Sequence, residues 1–236
     1  MNLLSVSLLL FTVAWESQQK VPASAPPTRT FQIFLKGEAA GTEVVSESTD
    51  KDGNLVLRSE HEMLVSDGLE IKRVAFTTAA VLAKESLQPL HYRMQYTSGA
   101  SHDSCEVKAN GRQLTRILTR GSRTSETSTT ITPGTVLLES NVYYLYEYLV
   151  RQYDAKKGGR QMFQAYLPPV GAEVPAALTR MQDSSLETPG GSVPVHNFRF
   201  EFVALANAVL SVDTAGRLVR FVNPTQEVEI RRKIDE

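Results

Sequence analysis

LESNVYYLYEYLVRQYDAKKGG, residues 138–159, holds five of the chain's eight tyrosines and breaks the rhythm of the sequence around it. Val142, Leu145, Tyr146, Leu149 and Tyr153 recur at i, i+3, i+4, i+7 and i+11, which gathers them on one stripe of a helix. Ser140 or Asn141 suits its start, while Lys156, Lys157 and Gly158 suit its end, where cations meet the negative pole and glycine turns left-handed. The spacing predicts a helix over about residues 140–155. The same wheel puts Tyr144 and Tyr148 on the opposite side, where a surface helix would carry Lys or Glu, so both sides are expected to be covered.

Outside that stretch the period is two. Phe31, Ile33 and Leu35 alternate with Gln32, Phe34 and Lys36. Tyr92, Met94 and Tyr96 oppose His91, Arg93 and Gln95, and Cys105, Val107 and Ala109 oppose Glu106 and Lys108. Phe198, Phe200 and Phe202 alternate with Arg199 and Glu201. Asp52-Gly53, Asp67-Gly68 and Asn110-Gly111 supply the positive φ of tight hairpins, and Thr214-Ala215-Gly216 joins two later strands. The Pro- and Gly-rich residues 186–196 read as a long hairpin end or a rim loop. Roughly ten strands are more than an open twisted sheet carries without curling. The expected fold is mainly β: one strongly curved antiparallel sheet, half-barrel or clam-like, wrapped on a single principal helix.

The chain opens with an apolar run from Leu3 to Ala14, long enough for an export signal and short of the roughly 20 residues that span a bilayer. Residues 1–15 are read as a signal peptide, with cleavage compatible with small residues near Ala14 or at Ala23-Ser24-Ala25. Residues 16–29 form a Pro-rich linker, and residues 30–236 form one β-rich domain. The single cysteine, Cys105, makes no internal disulfide, and no cysteine follows the apolar run to take a lipid. These features suit a periplasmic or secreted bacterial protein. A formal net charge of -1 gives no long-range field to draw nucleic acid, and membrane contact is expected to be peripheral at most.

Three stretches, FLKGEAAGTEVV (residues 34–45), LESNVYYLYEYLVRQYD (138–154) and LSVDTAGRLVRFVNP (210–224), together resemble exported bacterial β-rich domains of unknown function. In pattern they are also distantly similar to the outer-membrane lipoprotein carriers. The resemblance spans most of residues 30–232. It implies a half-barrel closed by helix and able to hold an acyl chain, although this chain offers one clear helix where the carriers have several.

No motif indicates catalysis, a metal or a cofactor. His61, His91, His102 and His196 lack any paired ligand spacing. His102 lies near Cys105, but Cys105 falls on the apolar face of its strand, where a thiol is inert. Ser17-Gln18-Gln19-Lys20 matches a nucleophile pattern only within the leader or tether. The acidic residues are dispersed along strands, with no pair to divide acid and base roles. Between Glu106 and Glu126 the only charged residues are Lys108, Arg112, Arg116, Arg120 and Arg123, so Arg112, Arg116 and Arg120 are candidates for anion binding. The expected function is a non-enzymatic envelope module that binds an apolar or amphipathic, lipid-like ligand, with Tyr146, Leu149, Phe198, Phe200 and Phe202 lining a cavity. The same tyrosines serve equally as core, which leaves a second reading: an envelope protein-interaction or scaffolding domain with no small ligand, recognised through the arginines or a sheet edge.

Overall fold

The computed structural model describes residues 27–66, 70–188, 190–202 and 207–234. The expected signal peptide, most of the linker and the Asp67-Gly68 turn lie outside the described residues. The first described strand is β1 (Thr28–Leu35), which starts two residues before the expected boundary. It continues through β2 (Glu38–Thr49), β3 (Leu55–Ser66), β4 (Ile71–Leu82), β5 (Pro89–Ser98), β6 (Ser101–Asn110), β7 (Gln113–Arg120) and β8 (Arg123–Thr130) as an unbroken antiparallel meander. The turns form where the sequence places them. Between β2 and β3, for example, the Asp50 carboxylate accepts from the backbone N–H groups of Asp52 and Asn54, and Gly53 takes φ +81°.

After β9 (Val136–Leu137) the chain crosses the interior, winds α1 (Leu145–Arg151) and returns to the sheet. The second half adds β10 (Arg160–Leu167), β11 (Ala172–Arg180), β12 (Ser184–Thr188), β13 (Gly191–Phe202), β14 (Ala208–Asp213), β15 (Leu218–Asn223) and β16 (Val228–Arg232). β16 pairs antiparallel with β1, so both halves merge into one sheet of sixteen strands, ordered β8-β7-β6-β5-β4-β3-β2-β1-β16-β15-β14-β13-β11-β10-β9, with β12 beside β13. The fold is mainly β: a large, curved, unclosed antiparallel sheet around one short helix.

Two details depart from expectation, and one open reading is resolved. The described residues form sixteen strands and not ten, because polar segments such as RTSETSTT of β8, which show no apolar alternation, still pair with a neighbour. Of the two readings of residues 186–196 the hairpin end is the one the structure takes: they lie largely in the β12–β13 hairpin, in the register Leu186↔Val193. The helix spans only seven residues, with Tyr144 at its N-cap and Gln152 at its C-cap. Residues 139–144 are wound into turns with backbone bonds to the third residue back, such as Val142 N–H to Glu139 and Tyr146 N–H to Tyr143. Such winding lets Tyr143, Tyr144 and Tyr146 reach different walls of the sheet, which a straight helix with one stripe does not.

The two ends of the sheet share no ladder and are joined by side chains. The Arg116 guanidinium crosses from β7 to donate to the Pro168 and Pro169 carbonyls at 3.3 and 3.2 Å and to Thr127 at 3.2 Å. Thr129 donates to the Gly171 carbonyl, and Glu173 accepts from Thr132 and Thr135. Gly171 must be glycine here: its φ is +74°, and a Cβ would stand 2.5 Å from the Arg116 guanidinium.

Candidate functional site

Inside the curve, the segment from Glu139 to Tyr153 fills the space. The Tyr146 ring lies 5.2 Å from Phe200 and 5.1 Å from Phe221, and Tyr143 lies between Phe221 and His61. Tyr153 meets Phe198 edge-on. Hydroxyls find partners on the walls: Tyr144 and Thr78 share a 3.0 Å hydrogen bond, Thr78 and Ser59 another, and Tyr148 donates to Glu47 at 2.9 Å. Large aromatic surface with a polar tip suits a plug that must bury area and still satisfy its oxygens.

At one end of the plug, Glu147 is fully buried yet paired. Its carboxylate accepts from Arg29, from Arg151 at 2.6 Å and from the backbone N–H of Leu218 at 3.0 Å. Arg29 also donates to Glu47, and the Arg151 guanidinium stacks 4.6 Å above the Tyr148 ring. Helix, first strand and β15 are thereby tied at one point.

Deeper in, polar groups lack hydrogen bonds of ordinary geometry. Both Glu43 oxygens, both His61 ring nitrogens, the Tyr92 hydroxyl and Glu139 Oε2 are buried without a partner. Glu43 and His61 face one another across β2 and β3. Burial pushes the Glu43 carboxyl up to about 8, against the opposing pull of Ser59 and the backbone of Tyr143 and Tyr144. Burial likewise raises Glu139 to about 7 and lowers His61 to about 4, so both Glu43 and His61 favour their neutral forms. None of the four residues is more than 6% exposed, so this cluster offers no route to a substrate.

The residues expected to line a cavity do converge. Tyr146, Leu149, Phe198 and Phe200 are buried, Phe202 is half-buried, and Phe200 stacks on Phe202. They meet as packed core: the gap lined by Tyr146, Phe200, Phe202, Ala208 and Phe221 measures about 10 Å³, room for about one water. The structure does not bring the three arginines together. Arg112 and Arg120 are exposed at opposite ends of β7, and Arg116 is buried in the seam. His102 is exposed and bonded to Thr97, whereas Cys105 is buried, its thiol pushed up to about 11 by burial. Among the described residues, no group of three or more His, Cys, Asp or Glu could hold a metal ion.

A groove of about 690 Å³ with an apolar floor lies on the outer face, along β1, β16 and β15. Phe31 and Ile33 point inward, which leaves Gln32 and Phe34 outside, opposite Arg231 and Glu229 of β16. A bulge in β15 adds Val219: Val212 pairs with Leu218 and Ser211 with Arg220, so Val219 is the extra residue and lines the groove while Leu218 stays inside. Leu186, Glu187 and Thr188 of the β12–β13 hairpin and the tail residues Lys233 and Ile234 complete the lining.

The groove's electrostatics are set by one shared acid. Arg220 and Arg231 stand directly opposite one another, an unfavourable pair that Glu229 bridges, accepting from both at 2.6 Å. The hydrogen bond from Arg231, followed by that from Arg220, holds the Glu229 carboxyl below its ordinary range despite partial burial. Arg231 also stacks 4.8 Å over Phe34, and Arg232 donates to Asp213 at 2.8 Å. The groove is not legible in the sequence because its residues come from four separate segments. The only local signals were Phe34 at an outward position and the basic run Arg231-Arg232-Lys233.

No family model matches the sequence, and no curated protein matches it. The fold is similar to the crystal structure of a β-barrel-like protein of domain of unknown function DUF1849 from Brucella abortus, with a TM-score of 0.61 at 9% sequence identity over 89% of this chain and 95% of that one. That likeness extends to the fold alone, a β-rich, barrel-like architecture.

Proposed function

We propose that this chain is an exported, non-enzymatic module of the bacterial cell envelope that binds an apolar or amphipathic ligand, held in the outer groove and not inside the sheet. The observation that carries this reading is the contrast in room: about 690 Å³ of groove with Phe34, Leu186, Val219 and Ile234 in its lining, against about 10 Å³ beside Tyr146 and Phe200. Small-molecule sites are concave, mostly apolar and roughly 300–1,000 Å³ in volume, with a few polar groups that fix orientation. The apolar run at Leu3–Ala14 and the Pro-rich tether support export, and the pattern similarity to lipoprotein carriers supports a lipid-like ligand.

The test is native mass spectrometry after exposure to a bacterial envelope lipid extract, together with competition between fatty acid and a fluorescent hydrophobic probe. One ligand per chain is expected, lost in Phe34→Ser and Leu186→Asp and retained in Phe202→Leu. Binding that survives both groove variants but is lost in Phe202→Leu places the ligand inside and overturns the groove.

One observation favours the alternative, an envelope protein-interaction or scaffolding domain. β8 pairs with β7 alone, and its first half, Arg123 to Glu126, is exposed along the sheet edge, where an extended segment of a partner can add as a further strand. Charge reversal at Arg112 and Arg120, or proline at Ser125, would abolish co-purification of an envelope partner on that reading and leave lipid binding untouched.

A further inference from the structure

Resting on the reading of the outer groove as a ligand site, we infer that its ligand is an acyl chain with an acidic head, the head held by Lys233 and Arg231 and the chain laid on Phe34, Val219, Leu186 and Ile234. Four cations, Arg220, Arg231, Arg232 and Lys233, line the groove. Two carboxylates answer them at close range: Glu229 takes Arg220 and Arg231, and Asp213 takes Arg232. Lys233 is exposed and forms no ion pair among the described residues, and Glu187, on the β12 side, is the one acid of the lining. Among the described residues four cations thus meet three carboxylates, and the unpaired cation, Lys233, lies where the chain leaves β16.

Position then fixes the orientation. The Lys233 backbone N–H bonds to the Thr30 carbonyl at 2.7 Å, so the lysine stem is anchored against β1 while its ammonium stays free. Arg231 lies over Phe34, with its guanidinium at the boundary between apolar floor and basic end. A second anion there completes the bonds that Glu229 divides between two arginines. An uncharged chain fills the floor and leaves Lys233 unanswered, and a cationic head meets like charge. A charge-assisted hydrogen bond is worth about 1.5–3 kcal/mol, which sets the expected preference for acid over neutral head at about ten- to a hundredfold. Carboxylate and phosphate heads share this chemistry, so fatty acids and acidic lipids are told apart only by direct comparison.

The experiment displaces a fluorescent hydrophobic probe from the chain with four amphiphiles of one chain length: lauric acid, lauryl phosphate, lauryl alcohol and lauryl-trimethylammonium. The acid or the phosphate, whichever head the groove selects, is expected to displace the probe at least about tenfold better than the alcohol, with the ammonium weakest. Lys233→Gln, an exposed change whose folding is checked by its unfolding midpoint, is expected to erase most of that preference while alcohol binding holds. Added salt is expected to weaken the acidic ligands alone. If the alcohol matches both acids, or Lys233→Gln leaves their advantage intact, the acidic head is overturned and the groove remains a ligand site. If none of the four displaces the probe, or Phe34→Ser leaves probe binding unchanged, the groove reading itself fails.

Discussion

The strip formed by β1, β16 and β15 has two faces built from the same nineteen residues. On the inner face, Phe31, Ile33, Ile230 and Phe221 are at most 3% exposed and pack toward the tyrosine plug. On the outer face, Gln32, Phe34, Arg231 and Arg220 surround an open groove. The inner face encloses polar groups and tolerates them either paired, as at Glu147, or neutral, as at Glu43. On the outer face charged side chains meet water and one another, as where Glu229 pairs with Arg220 and Arg231. Such a contrast separates a region whose residues specify the fold from one whose residues the fold leaves open to solvent.

The sharpest way to break the comparison is Glu147→Ala. It leaves Arg29 buried without its main partner, and loss of one member of a buried ion pair costs about 3–5 kcal/mol. Chemical unfolding should show that loss. A change below about 1 kcal/mol would mean the inner network is no more structural than a surface pair.

Next in size is a pH effect. Neutral Glu43 and Glu139 have folded pKa values raised above the ordinary carboxylate value, so their contribution is complete below about 4.5 and is lost as pH rises through about 7 and about 8. His61 acts in the opposite sense: its folded value is depressed, so its contribution is present above about 6.5 and lost as pH falls through about 4. Between about pH 6.5 and about pH 9 the two acids dominate, and stability should decline by about 3 kcal/mol across that window. Thermal melts of Glu43→Gln should show a flatter profile, and an unchanged slope would assign the pH effect elsewhere.

Gly171→Ala tests the seam between the two sheet ends. A side chain at positive φ, driven against Arg116, should cost about 1–2 kcal/mol. Amide hydrogen exchange should rise first in β8 and the β10–β11 turn, and uniform exchange would show that the seam does not hold the ends together. Smallest of all, Lys233→Gln on the outer face should shift stability by less than about 0.5 kcal/mol, in keeping with an exposed charge whose work is outside the fold.

Much of the fold was legible because alternation writes inward and outward directly into the chain. Phe198 and Phe200 read as inward and are so, and Asp52-Gly53 and Asn110-Gly111 turn as glycine at positive φ requires. The tyrosine segment was legible as the plug but not in its shape, since the i, i+3, i+4 stripe assumes a straight helix and tertiary contacts such as Tyr144–Thr78 unwound its first turns. Where Arg112, Arg116 and Arg120 come to lie was not legible at all. Arginines spaced by four share a face but not a place: Arg112 to Arg120 run the length of β7, and the middle one is consumed at the seam.

By itself, the sequence determined that this chain must curl a β-sheet round an aromatic segment, because alternation, turn glycines and a change of period are local properties that hydration and backbone sterics act on directly. The packing of distant strands set how little room is left beside Tyr146 and Phe200, about 10 Å³, and how much lies in the outer groove, about 690 Å³. Whether facing side chains leave a void depends on how volumes from distant strands meet, and the groove joins Phe34, Leu186, Val219 and Ile234 from segments that no short-range pattern connects.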